Sequence, residues 1–150
     1  MLELNETHHQ NRTLVSAGGM VCRDIGLGLE VVVCRRYSPA VCGLPKGTVE
    51  SGETQRETAL REVQEETGLE VQESGLIGDI SYSFMNSRLG IRYDKKVYFY
   101  LMNPTGGDLS LHDHEYDFVE WVTVKKAVSV LTYKSEANIV LKGISMVSAE

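Results

Sequence analysis

The segment from Gly47 to Leu69, GTVESGETQRETALREVQEETGL, constrains this chain more than any other part of it. A glycine-containing turn, Gly47 to Gly52, leads into a proline-free run in which apolar and acidic positions separate with helical spacing. Thr54 and Glu57 fit a capping box and Gly68 stands where a helix should stop, so the spacing predicts a helix over Thr54–Thr67. At about 100° per residue, Ala59, Leu60 and Val63 form an apolar arc, while Glu62, Glu65 and Glu66 share a different one. Arg61 lies one turn before Glu65, within reach to pair with it.

Acidic helix faces are ordinarily just solvated, and Glu57 or Glu70 alone reads that way. Glu62, Glu65 and Glu66 differ, because carboxylates converging on one point repel each other unless a cation lies between them. The arginine beside them, and a preceding loop able to offer a backbone carbonyl, favour a divalent metal site. Oxygen-only ligands select Mg²⁺ first and Mn²⁺ second over zinc. Magnesium in such sites commonly completes its shell with waters and substrate phosphates, which points to a phosphate-containing substrate.

The remaining composition narrows the classes. With 150 residues and 42% apolar content the chain is expected to form one domain, 1–150, with residues 1–12 as a loose polar arm. Net charge is −6, and the segment Lys46–Glu70 alone supplies −4 (three basic against seven acidic residues). That balance argues against broad binding to nucleic acid or anionic membrane. Cys22, Cys34 and Cys42 have no Cys-x-x-Cys spacing and are odd in number, so inert thiols in a reducing compartment are expected. The N-terminus has neither a basic nor an apolar signal region, and no apolar run is long enough to span a bilayer. A cytoplasmic protein, monomer or homodimer, is expected.

Strands are predicted over Thr13–Arg23 and Leu29–Arg35, joined by a turn at Asp24–Gly28, with Glu30–Cys34 buried on both faces. Tyr37–Gly43 reads as a loop. Leu69–Phe84 and Arg88–Met102 read as long strands paired through Met85–Ser87, followed by a polar loop over Asn103–Asp113. Glu115–Val122 reads as a short strand, and Lys125–Leu131 and Glu136–Ile144 as closing helices. The expected class is α/β, a mixed sheet sandwiched by helices.

The Gly47–Leu69 segment resembles the Nudix box, Gly-x5-Glu-x7-Arg-Glu-U-x-Glu-Glu-x-Gly-U with U aliphatic. Gly47, Glu53, Arg61, Glu62, Val63, Glu65, Glu66, Gly68 and Leu69 match all nine specified positions. The resemblance implies a Nudix-type α/β/α sandwich with a mixed sheet. It also implies hydrolysis of a nucleoside diphosphate linked to another moiety, with Mg²⁺ or Mn²⁺. By that likeness Glu62, Glu65 and Glu66 bind metal, the Gly47 carbonyl adds a ligand, Arg61 fixes Glu65, and Glu53 binds through water or braces the loop.

Outside the box, Leu111–Asp117 is similar to the diadenosine polyphosphate hydrolase branch, in which a glutamate from this region approaches the metals. The resemblance gives Glu115 that role, as ligand or base, against a plain reading as a solvated acid. His112 and His114 are candidate phosphate contacts, although loop histidines are more often bystanders. Leu44-Pro45-Lys46-Gly47 resembles the same branch and the diphosphoinositol polyphosphate hydrolases, which makes Lys46 a candidate phosphate contact, with an ordinary surface lysine as the alternative. Arg35, Arg36, Lys95 and Lys96 are candidate polyphosphate contacts, with a solvated surface as the default. Tyr82 and Tyr133 fall where that branch stacks adenine, or are ordinary packing. The ADP-ribose branch has a proline shortly past its box, whereas here the first is Pro104. A small-molecule dinucleoside polyphosphate is therefore the expected substrate, with ADP-ribose, nucleoside triphosphates and diphosphoinositol phosphates as rivals. A binding-only module on the same fold is the other class; such modules usually lose box carboxylates, and all are present here.

Overall fold

A computed structural model of the chain describes residues 10–148. The elements are β1 (Gln10–Asp24), β2 (Leu29–Tyr37), β3 (Ala40–Gly43), β4 (Lys46–Thr48), α1 (Gln55–Thr67), β5 (Leu69–Asn86), β6 (Ile91–Gly107), a 3₁₀ turn (Leu109–Leu111), β7 (Phe118–Thr123), α2 (Val124–Val130) and α3 (Lys134–Ser148). The strands form one sheet of order β3-β2-β1-β6-β5, with β4 paired to β1 and β7 to β2. β1 and β6 run parallel and the other pairs are antiparallel, so the sheet is mixed.

Alternation along the central strands feeds two cores. Val31 and Val33 of β2, with Val97, Phe99 and Leu101 of β6, pack against Ala137, Ile139 and Val140 of α3. Val32, Tyr100 and Met102 face the other way and meet Ala59 and Val63 of α1. The result is an α/β/α sandwich. Val31 to Cys34 are fully buried, as expected for a strand covered on both sides. Truncating a buried aromatic such as Phe99 to alanine in a core of this kind costs about 3–5 kcal/mol.

Helix α1 is specified locally. The Thr54 hydroxyl accepts from the Glu57 amide at 3.1 Å while the Glu57 carboxylate accepts from the Thr54 amide at 3.2 Å. Gly68 ends the helix at φ 76° and donates to the Gln64 carbonyl. Its Ala59 and Val63 face is buried, and Leu60 packs at its edge.

Several boundaries differ from the sequence expectation, most of them where long-range pairing extends a strand. Residues 10–12 are strand rather than loose arm, since Gln10 to Arg12 pair with Ile91 to Tyr93; residues 1–9 of that expected arm lie outside the described residues. Ala40–Gly43, expected as loop, pairs with Cys34–Tyr37. Part of the expected polar loop belongs to β6, which continues to Gly107 opposite Leu69. The β5–β6 turn falls after Asn86 rather than at Met85–Ser87, and β7 begins at Phe118 rather than Glu115. Cys22, Cys34 and Cys42 are buried free thiols. No helix among the described residues is long and apolar enough to cross a membrane.

A Cβ at Gly68 would overlap the Asp108 carbonyl oxygen and crowd the His112 amide nitrogen at 2.8 Å. Gly68→Ala is expected to destabilise the chain by more than the roughly 1–2 kcal/mol of left-handed strain alone. Urea unfolding would check this, and an unchanged midpoint would contradict it.

Candidate active site

The site is assembled where the N-terminal loop of α1 folds back on its acidic face. Antiparallel pairing places Gly47 opposite Ala17 and Lys46 opposite Gly18, pressing β4 against α1. A Cβ on Gly47 would overlap the Glu62 carboxyl group, so only glycine leaves that side chain its place.

Arg61 organises the rim. Its Nε and Nη2 donate to the two oxygens of Glu53 at 2.7 and 2.9 Å, and Nη1 donates to Glu62 Oε1 at 2.9 Å. Contact with Glu65 is longer, 3.3 Å, so the arginine grips Glu53 and Glu62 more closely than the expected Glu65. Glu53 also accepts from the Thr58 hydroxyl at 2.9 Å and the Glu50 amide at 3.1 Å. Its carboxyl is pulled down to about 2, first by the Arg61 hydrogen bond. As placed, Glu53 braces the loop.

Glu66 is the opposite case. It is fully buried; Oε2 accepts the Lys46 backbone N–H at 2.9 Å, and Oε1 has no partner among the described residues. Burial pushes its carboxyl up to about 9, with the nearby Glu115 and Glu62 charges adding to the shift. Glu62 is raised by burial too, against the pull of Arg61. Glu115 is held close enough to Glu66 for its charge to act there because its loop is pinned: the Asp113 amide donates to the Glu65 carbonyl at the end of α1 at 2.9 Å, and the Glu115 amide to Asp113 Oδ1 at 3.1 Å.

Glu62, Glu115, Gly47, Lys46, Lys95 and Tyr116 line a cleft of about 340 Å³. Lys95 is half-buried, and its ammonium is disfavoured first by desolvation and next by Lys46. Tyr116, absent from the sequence candidates, holds its proton more tightly than usual because it is partly buried, with the Glu66 and Glu115 charges near it. Glu136 was also missed. It is buried, accepts the Leu44 amide at 2.7 Å, and stands 3.7 Å from Lys46 Nζ. An acid in the first turn of α3 reads in sequence as an ordinary dipole-favoured surface residue.

The other candidates divide. Tyr82, 43% exposed, lies close enough to Lys46, Glu136 and Tyr133 for their charges to act on its hydroxyl. Tyr133 is exposed at the start of α3. Arg35 instead pairs with Glu120 at 2.9 Å and borders a separate depression with Arg36, Tyr37 and Phe118. His114 is exposed and does not border the carboxylate cleft. Lys96 turns to Asp79.

As the side chains stand, no three His, Cys, Asp or Glu groups among the described residues are gathered to ion-binding distance. Arg61 accounts for part of this, because it supplies the positive charge that holds Glu62 and Glu65 toward the rim. The donor set nevertheless fits a hard cation. It offers carboxylate oxygens, one of them buried and orphaned, around a glycine that leaves room beside Glu62.

A mixed sheet between two helical layers, with a carboxylate-bearing helix entered through a glycine turn, defines an α/β/α sandwich protein with an acidic centre at one edge. The NUDIX domain model matches residues 13–142, and the chain belongs to the Nudix family. It is 38% identical over 130 residues to MutT4 of Mycobacterium tuberculosis (strain CDC 1551 / Oshkosh), covering 83% of this chain and 52% of that protein. It is 29% identical over 147 residues to an 8-oxo-(d)GTP phosphatase of Mycolicibacterium smegmatis, covering 92% of this chain and 44% of that one. The chain thus spans about half the length of the curated relatives it matches. Its fold is shared by a C. elegans Ap4A hydrolase in a binary complex (TM-score 0.71, 18% identity, 91% of this chain and 99% of that one). It is shared too by a Nudix hydrolase from Nitrosomonas europaea (TM-score 0.68, 16% identity, 89% and 90%).

Metal-free protein should report the Glu66 arrangement through pH. A carboxyl whose folded pKa is raised binds its proton more tightly in the native state, so stability is highest below its unfolded value of about 4.5 and falls as pH rises toward about 9. In EDTA the unfolding temperature should therefore fall between pH 5 and pH 8, and Glu66→Gln should flatten that slope. Added divalent ion should stabilise the wild type more at pH 8 than at pH 5. A slope unaltered by Glu66→Gln would contradict this account.

Proposed function

We propose that the chain hydrolyses a pyrophosphate bond in a nucleoside diphosphate linked to another moiety, with a dinucleoside polyphosphate as the substrate class. The observation that carries this reading is a cleft lined by Glu62, Glu115, Lys46 and Lys95, with the buried Glu66 close enough to Glu62 and Glu115 for their charges to act on it. Glu62, Glu66 and Glu115 would hold Mg²⁺ or Mn²⁺, with Glu65 and the Gly47 carbonyl as further ligands. The ion supplies charge neutralisation on phosphoryl oxygens and a more acidic water.

The chain's own residues do the rest. Lys46 and Lys95 bring two cations to the cleft, enough to seat a run of phosphates whose charge would otherwise be repelled by the acids. Arg61 clamps Glu53 to Glu62, so the loop bearing Gly47 and the acidic face of α1 move as one piece. Glu115, which also lines the cleft, orients the attacking water or takes its proton. Tyr82 and Tyr133, near enough to each other and to Lys46 to interact electrostatically, would receive an adenine.

A second reading, a nucleoside triphosphate including an oxidised one, is favoured by the likeness to the 8-oxo-(d)GTP phosphatase over 92% of the chain. The two separate in one experiment. Purified protein with Mg²⁺ or Mn²⁺ is offered diadenosine tetraphosphate, ADP-ribose, deoxynucleoside triphosphates, 8-oxo-dGTP and a diphosphoinositol phosphate. The expected outcome is the highest kcat/KM on diadenosine tetraphosphate, with ¹⁸O from water entering a single phosphorus. Binding without product from any substrate would make the chain a sensor instead of an enzyme.

Glu66→Gln should lower kcat by at least about 100-fold, beyond the range typical of an outer-shell partner. Arg61→Lys keeps the charge but loses the fork that grips Glu53 and Glu62 together, so a loss of roughly 10- to 100-fold is expected. Equal activity of Arg61→Lys and wild type would remove the clamp from the mechanism.

A further inference from the structure

We infer that the outer part of the β5–β6 hairpin carries a second base-stacking platform, formed by Phe84 and Tyr93, for the distal base of a substrate that has two bases. The inference rests on the dinucleoside reading above.

Register places the platform. Tyr82 lies opposite Lys95, and Phe84 opposite Tyr93, so all four share one face of the hairpin. That face continues inward to Ile80 and Val97, which pack on the α3 side of the sheet, the side on which Lys46 and Glu136 meet. Lys95 borders the carboxylate cleft, and its ammonium lies 6.0 Å from the centre of the Tyr82 ring. One same-face step outward, about 7 Å by strand geometry, the Phe84 and Tyr93 rings stack with centroids 5.1 Å apart and planes 20° from parallel. Tyr82 and Phe84 are 6.2 Å apart, so the three rings form a continuous row.

The row is exposed where a folded chain would normally cover it. Phe84 is 44% accessible and Tyr82 43%. Cross-strand aromatic pairs do stabilise hairpins, but stabilisation alone does not require the row to start at the phosphate cleft. Its charge also suits a polyphosphate ligand: Lys95 stands at the inner end, and Arg12 of β1 is in register with Tyr93 at the outer end. Aromatic faces next to cations are the chemistry that holds bases while phosphates are held beside them. A substrate cleaved at the acidic cleft, with one base at Tyr82 and Tyr133, has its second base within reach of this row.

The test compares two tetraphosphates that differ by the second adenosine, so the loss caused by each variant is compared between substrates rather than the substrates with each other. Wild type, Phe84→Ala, Phe84→Leu and Tyr93→Ala are assayed with diadenosine tetraphosphate and with adenosine 5′-tetraphosphate. The ring-removing variants should raise KM for the two-base substrate about tenfold more than for the one-base substrate, the scale of losing one stacked base. Phe84→Leu should behave like Phe84→Ala, since it keeps apolar bulk without a ring. Independently, ring resonances of Phe84 and Tyr93 in EDTA should shift with diadenosine tetraphosphate and not with adenosine 5′-tetraphosphate. Equal loss on both substrates would mean that the pair only supports Tyr82, and would overturn the platform. No loss on either would overturn it as well, while leaving the hydrolase reading intact. Cleavage of nucleoside triphosphates without cleavage of diadenosine tetraphosphate would remove the dinucleoside reading and the platform with it. A wild-type dimer that Phe84→Ala converts to monomer would reassign the row to a contact between copies.

Discussion

Everything at the acidic edge of this molecule depends on how a glutamate is kept inside it. Helix packing on Ala59 and Val63 carries Glu66 into the protein, where an unpaired carboxylate is costly. The backbone answers with one N–H, from Lys46, and leaves the second oxygen without a partner. A group in that state must hold a proton or find a cation. The orphaned oxygen is what separates this helix from a merely solvated acidic face. Arg61 answers the same problem at the rim by a different route, with a permanent charge. It leaves Glu53 strongly ionised while Glu62, deeper in, is still pushed toward protonation. Two carboxylates one turn apart on the same helix, Glu62 and Glu66, therefore sit in different environments.

Lys46 joins this edge to the opposite layer. Its amide belongs to the Glu66 site, and its ammonium points to Glu136 of α3, which also holds the Leu44 amide. The ammonium is 3.7 Å from Glu136, longer than an ideal charge-assisted hydrogen bond. It is therefore positioned without being fully neutralised, a state suited to meeting phosphate. Gly43 and Gly47 keep the approach narrow: a Cβ at Gly43 would stand 3.4 Å from Glu136, and one at Gly47 would overlap Glu62.

What was legible in the sequence was whatever is local in the chain. The capping box, the Gly68 stop and the separation of Ala59 and Val63 from the acids lie within one helix, and they appear in the structure as read. The class of the sheet followed from runs of β-branched residues. Its extent did not, because Gln10–Arg12 are polar and become strand only through pairing with residues about 80 positions away. The same limit governs the site. Arg35 and Lys95 are both strand cations in sequence, yet register turns Arg35 to Glu120 and Lys95 to the cleft. Glu136 and Tyr116 carried no local signal at all, since their importance comes from burial against segments far away in sequence.

The end of α1 shows why a residue outside the box belongs to the same unit. The last turn has no lysine or arginine to meet its exposed carbonyls. Gly68 satisfies the Gln64 carbonyl and the Asp113 amide satisfies that of Glu65. Asp113 heads the loop that delivers Glu115 to Glu66, and the loop's other end is tied by the Asp117 amide to the Arg35 carbonyl at 2.9 Å. Capping the helix and placing the third carboxylate are thus one act of folding. A change that loosens the cap must also move Glu115. The Asp113–Asp117 loop can vary at its exposed His114, but its backbone path is held at both ends by the scaffold it serves.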